Sequence, residues 1–386
     1  MSDAEQPEPD RIAGAPHPRD TVEVFGQAEA ERKFLEVFNA GRLHHGWLLT
    51  GPRGVGKASL AWSIARFLLA TPDANDGPSL FGDAPEKPST LRIDPEHPVA
   101  RRIAARSEPG LKLIRRGGSG TSENDRHKNF LDGKFSQEIR VSEIRELTSF
   151  LSLSATEGGR RVVIVDAADE MNTAAANALL KMLEEPPART ILLLIAHQPS
   201  RLLPTIRSRC RELRLGALAP DDLARALTQA GIAPEPGQEA ALAALSAGSV
   251  GEAVRLINLG GLAIYSELVR LLADLPNLDR PRAMAVADAA AGRGAETKLD
   301  LLIGLIETFL ARMARSGAMG VAPTPEAANG EAKLFARLAP NAWQARRWAE
   351  LEEELGQRMR HGRAVNLDAS ALILDTLFKI RERAAG

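Results

Sequence analysis

The stretch GPRGVGKASL, Gly51 to Leu60, decides the fold. It fills every place of a phosphate-binding loop except the last, where Ala58 stands at the position that ordinarily brings a serine or threonine hydroxyl to magnesium. GWLLT (46–50) precedes it as a short apolar run, and ASLAWSIARFLLA (58–70) follows it with helical character. Strand, glycine loop and helix together form the context that turns such a pattern into a site. Glycines there let successive backbone N–H groups converge on phosphates at the positive end of the helix. Gly51, Gly54 and Gly56 supply that shape around Val55, and Lys57 adds a point charge toward the outer phosphates. Ser59 does not replace the missing oxygen, because one step along a helix turns a side chain by about 100°.

Moving outward, RRVVIVDAADEMN (160–172) is a continuous apolar strand ending in Asp166, and ILLLIAH (191–197) is a second. Such runs suit parallel strands covered on both faces. Between them TAAANALLKMLEEPP (173–187) is a helix with Asn172 and Thr173 as cap candidates, stopped by Pro186 and Pro187. Strand, helix, strand in this order predicts an α/β sheet with helices on both faces. Asp166 is placed to help hold a magnesium ion; Asp169 and Glu170, past the strand end, read as solvated turn and helix-start charges. IRVSEIRELTSFLSLSA (139–155) predicts a short strand leading into a helix.

The chain has 386 residues, enough for two or three domains. Its 49 basic and 50 acidic side chains leave no global attraction to nucleic acid, so any such contact is local. One cysteine, Cys210, excludes an internal disulfide and zinc sites built on cysteine pairs, which suits a reducing cytoplasm. MSDAEQPEPDRIAGAPHPRD (1–20) is acidic and proline-rich with no apolar run, so residues 1–18 are expected to be a disordered arm and no targeting signal. No stretch reaches the roughly 18 apolar residues of a membrane span. Residues 71–134 are rich in Pro, Gly and Asp and are expected to be partly mobile, with the basic cluster at 101–116 a solvated surface. Beyond Leu215 no strand run recurs and the chain turns helical, with a break at INLGG (257–261).

GRLHHGWLLTGPRGVGKASLA (41–61), VVIVDAADEMNTAAANALLKMLEEPP (162–187) and LLPTIRSRC (202–210) together resemble the clamp-loader branch of the AAA+ ATPases. The resemblance implies a P-loop AAA+ domain over residues 19–216, a small helical lid over 217–259 and an all-α collar for oligomerisation over 260–386. Family members form a five-subunit ring that loads a sliding clamp on primed DNA within a bacterial replicative DNA polymerase, formally a nucleotidyltransferase. The implied partners are motor ATPase subunits and delta in a hetero-pentamer, with the clamp and primer–template DNA reached through the complex.

By the same resemblance Arg209, in the string SRC, is the arginine finger that points at ATP on the neighbouring subunit. A planar, permanently charged guanidinium suits that task. Cys210 beside it reads as core packing, since no His and acid partners are evident nearby. Ala167 stands where hydrolysing members carry a water-activating glutamate. The polar sensor aligns with Ala196 or His197, and the second sensor arginine with Gly251. Where the family often carries a four-cysteine zinc module this chain has His97 and no cysteine, so no zinc is expected. The resulting expectation is a non-hydrolysing stator subunit that requires no cofactor and at most binds ATP or ADP weakly or structurally. The alternatives are an active motor ATPase of the same machine or a related DNA-remodelling enzyme, and a P-loop kinase; Ala58 and Ala167 oppose the first, and the SRC string with its long helical tail opposes the second.

Overall fold

The computed structural model describes residues 7–71, 87–152, 159–291 and 296–386. Five strands, β1 (Gly46–Thr50), β2 (Leu111–Arg115), β3 (Arg161–Asp166), β4 (Thr190–Ala196) and β5 (Arg211–Arg214), form one parallel sheet in the order β2-β3-β4-β1-β5. The three inner strands are the apolar runs of the sequence, and β4 is buried at every position. Register aligns Thr50 with Ala196 across β1 and β4, and Arg115 with Asp166 across β2 and β3. The carboxyl ends of the strands therefore share one edge, where ligands of open α/β sheets bind.

Successive strand residues face opposite ways, and the two faces of β1 show what covers each. Trp47 meets Phe34 of α1 (Ala28–Asn39) at 4.9 Å, and Phe34 meets Phe67 of α2 (Lys57–Ala70) at 6.5 Å. Two short helices follow in the chain, α3 (Pro98–Ala104) and α4 (Glu123–Leu131). Leu48 joins the opposite core, with Ile144 and Leu147 of α5 (Val141–Ser152) and Leu179 and Leu183 of α6 (Thr173–Glu184). Asn172 caps α6 as expected, its Oδ1 accepting from the Ala175 N–H at 2.9 Å. α7 (Pro204–Arg207) leads into β5, and α8 (Pro220–Gln229) follows it. The expected strand near Ile139 is a single bridge to Met171. Of the tract expected to be partly mobile, residues 72–86 lie outside the described residues; the rest forms α3, β2 and α4.

Two compact units account for the chain. The first runs to Ile232 and includes Ser249–Gly251; the second holds residues 233–248 and 252–386. The second unit is helical: α9 (Glu239–Ser246), most of α10 (Val250–Asn258), α11 (Gly261–Leu272), α12 (Arg280–Ala289), α13 (Glu296–Met319), α14 (Glu331–Leu338), α15 (Ala342–Ala364) and α16 (Ala369–Ala385). In its interior Phe309 meets Phe335 edge to face at 5.2 Å, beside Tyr265. Glu331 is fully buried there and accepts from the Tyr265 hydroxyl, the Arg312 guanidinium and the Ala327 N–H. A buried carboxylate persists because every oxygen is paired. No helix among the described residues is long and apolar enough to cross a membrane.

Residues 7–18 correct the expectation of a disordered arm. The Glu8 and Asp10 side chains are each only 1% exposed. Glu8 accepts from Arg19 at 2.5 Å and Arg115 at 2.9 Å, with Arg106 at 3.4 Å; Asp10 accepts from Arg115 at 2.6 Å and lies 3.0 Å from His17 Nε2. The basic cluster at 101–116 is a solvated surface at Arg101, Arg102 and Arg106, which are exposed, whereas Arg115 departs from that reading, being 18% exposed and paired with Glu8 and Asp10. Acid-rich composition signals disorder only when no cation within the fold awaits the acids, and here Arg19 and Arg115 do, with the more exposed Arg106 beside them.

Candidate functional site

The phosphate loop follows β1 at the carboxyl edge, with Lys57 opening α2. Gly51 has φ 141° and Gly54 has φ 73°, both in the region open to glycine, and a Cβ on Gly51 would lie 2.3 Å from the Leu215 carbonyl oxygen. Val55 is buried, and its carbonyl accepts from Gln27 Nε2 at 3.1 Å. Gln27 also exchanges hydrogen bonds with the Gly216 backbone, so one buried amide braces the loop against the chain leaving β5. This role of Gln27 was not foreseen from the sequence; a glutamine ahead of a helix carries no local signal of a partner 189 residues away.

Three features close the cradle. Lys57 Nζ turns back to donate to its own loop, to the Gly51 carbonyl at 2.7 Å and the Pro52 carbonyl at 2.5 Å. Gly251 N–H donates to the Gly54 carbonyl at 3.3 Å, and a Cβ on Gly54 would lie 2.2 Å from Ser249 Oγ. Ala58 brings no hydroxyl, and Ser59 spends its own on Thr21 at 3.1 Å. Gly56, with φ 97°, keeps the loop's turn.

Burial perturbs the two charged groups nearest the loop. Burial, with repulsion from Asp10 and Glu170, pushes the Asp166 carboxyl up to about 7. Burial pushes Lys57 down to about 8 against the pull of Asp166 and Asp169. The residues present do not fit a magnesium–ATP complex: the hydroxyl ligand is missing, and the lysine is satisfied within the loop. Among the described residues one group has the spacing of metal ligands, Glu8, Asp10 and His17, but three arginines around it repel a cation.

Asp169 corrects the reading of a solvated turn. It is 7% exposed, and its two oxygens accept from the backbone N–H groups of His197 at 3.0 Å and Gln198 at 2.9 Å. It therefore fixes the turn after β4, between the phosphate loop and Asp166. Burial, with the charges of Lys57 and Arg53, pushes the His197 imidazole down to about 4, so it is neutral near pH 7, and its Nδ1 is buried without a partner among the described residues. Glu170 is also tied, to Arg53 of the loop at 2.9 Å and to Arg116 at 3.0 Å.

Arg209 lies on the turn between α7 and β5, its side chain 38% exposed. Nη1 donates to the Thr205 carbonyl at 3.0 Å, and Nη2 lies 3.0 Å from Glu184 Oε1. Cys210 beside it is half-buried, and burial pushes its thiol up to about 12, which leaves it inert as a nucleophile.

The family described as "DNA polymerase III, delta subunit" matches residues 26–219. The DNA polymerase III subunit delta' of Pseudomonas aeruginosa is 37% identical over 218 residues, 55% of each chain, and that of Escherichia coli is 34% identical over 226 residues, 58% of each. The DNA polymerase III subunit gamma/tau of Mycobacterium bovis is 30% identical over 224 residues, 56% of this chain and 32% of that one. The chain spans about half the length of the delta' relatives it matches. The matched region holds the phosphate loop, Asp166, Asp169 and Arg209, and on that basis the chain belongs to the DNA polymerase III delta subunit family of clamp-loader subunits.

Proposed function

We propose that this chain is a non-hydrolysing clamp-loader subunit, similar in role to the delta' proteins it resembles, that helps load a sliding clamp on primed DNA in the cytoplasm. Its neighbours are motor ATPase subunits and delta in a five-membered ring, and residues 217–259 and 260–386 serve as lid and collar. The observation that carries this reading is the contrast between two sites of one domain. The chain's own phosphate loop is closed on itself by Lys57 and Gly251 and lacks a metal hydroxyl, while Arg209 keeps its guanidinium at the surface.

Hydrolysis needs a metal clamp, a polarised water and charge stabilisation, and this loop supports none of them well. An arginine offered to a neighbouring triphosphate supplies the third of these in trans. The experiment is ATP turnover by the purified chain alone and by the chain reconstituted with motor subunits. The proposal expects no turnover alone and a complex rate that depends on Arg209; robust turnover by the lone chain rejects it.

A further inference from the structure

The geometry points to residues 8–17 as an autoinhibitory strap that holds Ser249–Gly251 down on the phosphate loop and so closes the nucleotide cradle from within this chain. Ile12 is the contact. A Cβ on Gly251 would lie 2.5 Å from Ile12 Cδ1 on one side and 3.1 Å from Gly54 Cα on the other, so Gly251 is layered between the end of the Ile12 side chain and the loop backbone. The strap is compact, with Arg11 N–H donating to the Glu8 carbonyl, Ala15 N–H to the Ile12 carbonyl, and the Arg11 guanidinium to the Ala15 carbonyl.

Both ends of the strap are anchored beside the site. At one end Glu8 and Asp10 share Arg115, the residue that pairs with Asp166 across β2 and β3, and Arg116 donates to the Pro9 carbonyl. At the other His17 packs edge-on against Trp62 of α2 at 5.5 Å, and Arg66 of the same helix donates to the Arg19 carbonyl. Between these anchors Ile12 remains 41% exposed. Its contact with Gly251 is therefore made from the surface and not from within a core. A nucleotide competes with the closed strap, so its apparent affinity falls by the fraction of molecules in which the strap is open.

This inference concerns access to the loop and stands apart from the trans role of Arg209. The test is binding of a fluorescent ADP analogue, in EDTA, to the full chain and to two variants: Glu8→Gln with Asp10→Asn, which releases the anchor, and Ile12→Gly, which removes the contact and leaves the anchor intact. Both variants are expected to bind at least tenfold more tightly than the parent chain. Unchanged affinity in folded variants, judged by circular dichroism, overturns the strap, as does tight binding by the parent. If the double variant fails to fold, Ile12→Gly decides alone, being a surface change. Hydrolysis of ATP by an opened variant would instead count against the non-hydrolysing reading while leaving the strap in place.

Discussion

Arg209 Nη2 lies 3.0 Å from Glu184 Oε1, so a carboxylate on the last turn of α6 holds the guanidinium at the surface of its own domain. Both partners are well exposed, and such a pair adds at most about 1 kcal/mol to stability. Its consequence is orientation. Arg209→Ala is expected to leave the urea midpoint of the chain nearly unchanged while lowering ATP turnover of the reconstituted complex by about a hundredfold or more. An unaltered complex rate removes the finger assignment. Glu184→Gln keeps the shape and drops the charge, and a severalfold change in the complex rate is expected from it.

Restoring the missing oxygen tests whether Ala58 alone silences the loop. Under the proposed reading Ala58→Thr returns a hydroxyl at the metal position, while Ala167 still offers no base and Gly251 still donates to the Gly54 carbonyl. The variant is expected to show no ATP turnover by itself, measured as phosphate release with magnesium. Measurable turnover would mean the other departures are silent.

Asp166 predicts a pH dependence of stability. Its folded carboxyl is raised from 3.8 to about 7, so well below the unfolded value both states are protonated and the group contributes nothing, and near pH 4 it contributes little. Between pH 4 and 7 the unfolded chain ionises first, and stability falls as pH rises; above 7 the full cost is present. That cost is at most about 4 kcal/mol and is reduced by residual contact with water. Asp166→Asn is therefore expected to raise Tm at pH 8 and to leave it little changed near pH 4. An equal shift at both pH values would show that burial does not govern this carboxyl.

The three inner strands and α6 were legible because a strand covered on both faces must be apolar throughout, and a helix between two such strands must be capped and stopped. The edge strands were not. β5 reads RELR, with Leu213 buried and its neighbours exposed, and β2 carries Lys112 and Arg115, so both look like charged loop from the sequence. The site divides the same way. Gly51, Gly54, Gly56 and Lys57 announce themselves by spacing, whereas Asp169 depends on a turn 28 residues away and Glu8 on an arginine 107 residues away. Acidic residues in a proline-rich stretch carry no sign of which cation they will meet.

Asp169 and Glu170 are adjacent acids with unequal expected costs. Asp169 is buried and accepts two backbone N–H groups, from His197 and Gln198, which hold the turn after β4 in place. Hydrogen bonds to a charged acceptor contribute about 1.5–3 kcal/mol each, and orphaned donors add to the loss, so Asp169→Ala is expected to cost about 2–4 kcal/mol. Glu170 instead bridges Arg53, which is 71% exposed, and Arg116, and water can replace it at both. Glu170→Ala is expected to cost about 1 kcal/mol or less. Urea unfolding of the two variants, at pH 7 and equal ionic strength, separates them; equal midpoints would mean that Asp169 does not fix the turn carrying His197.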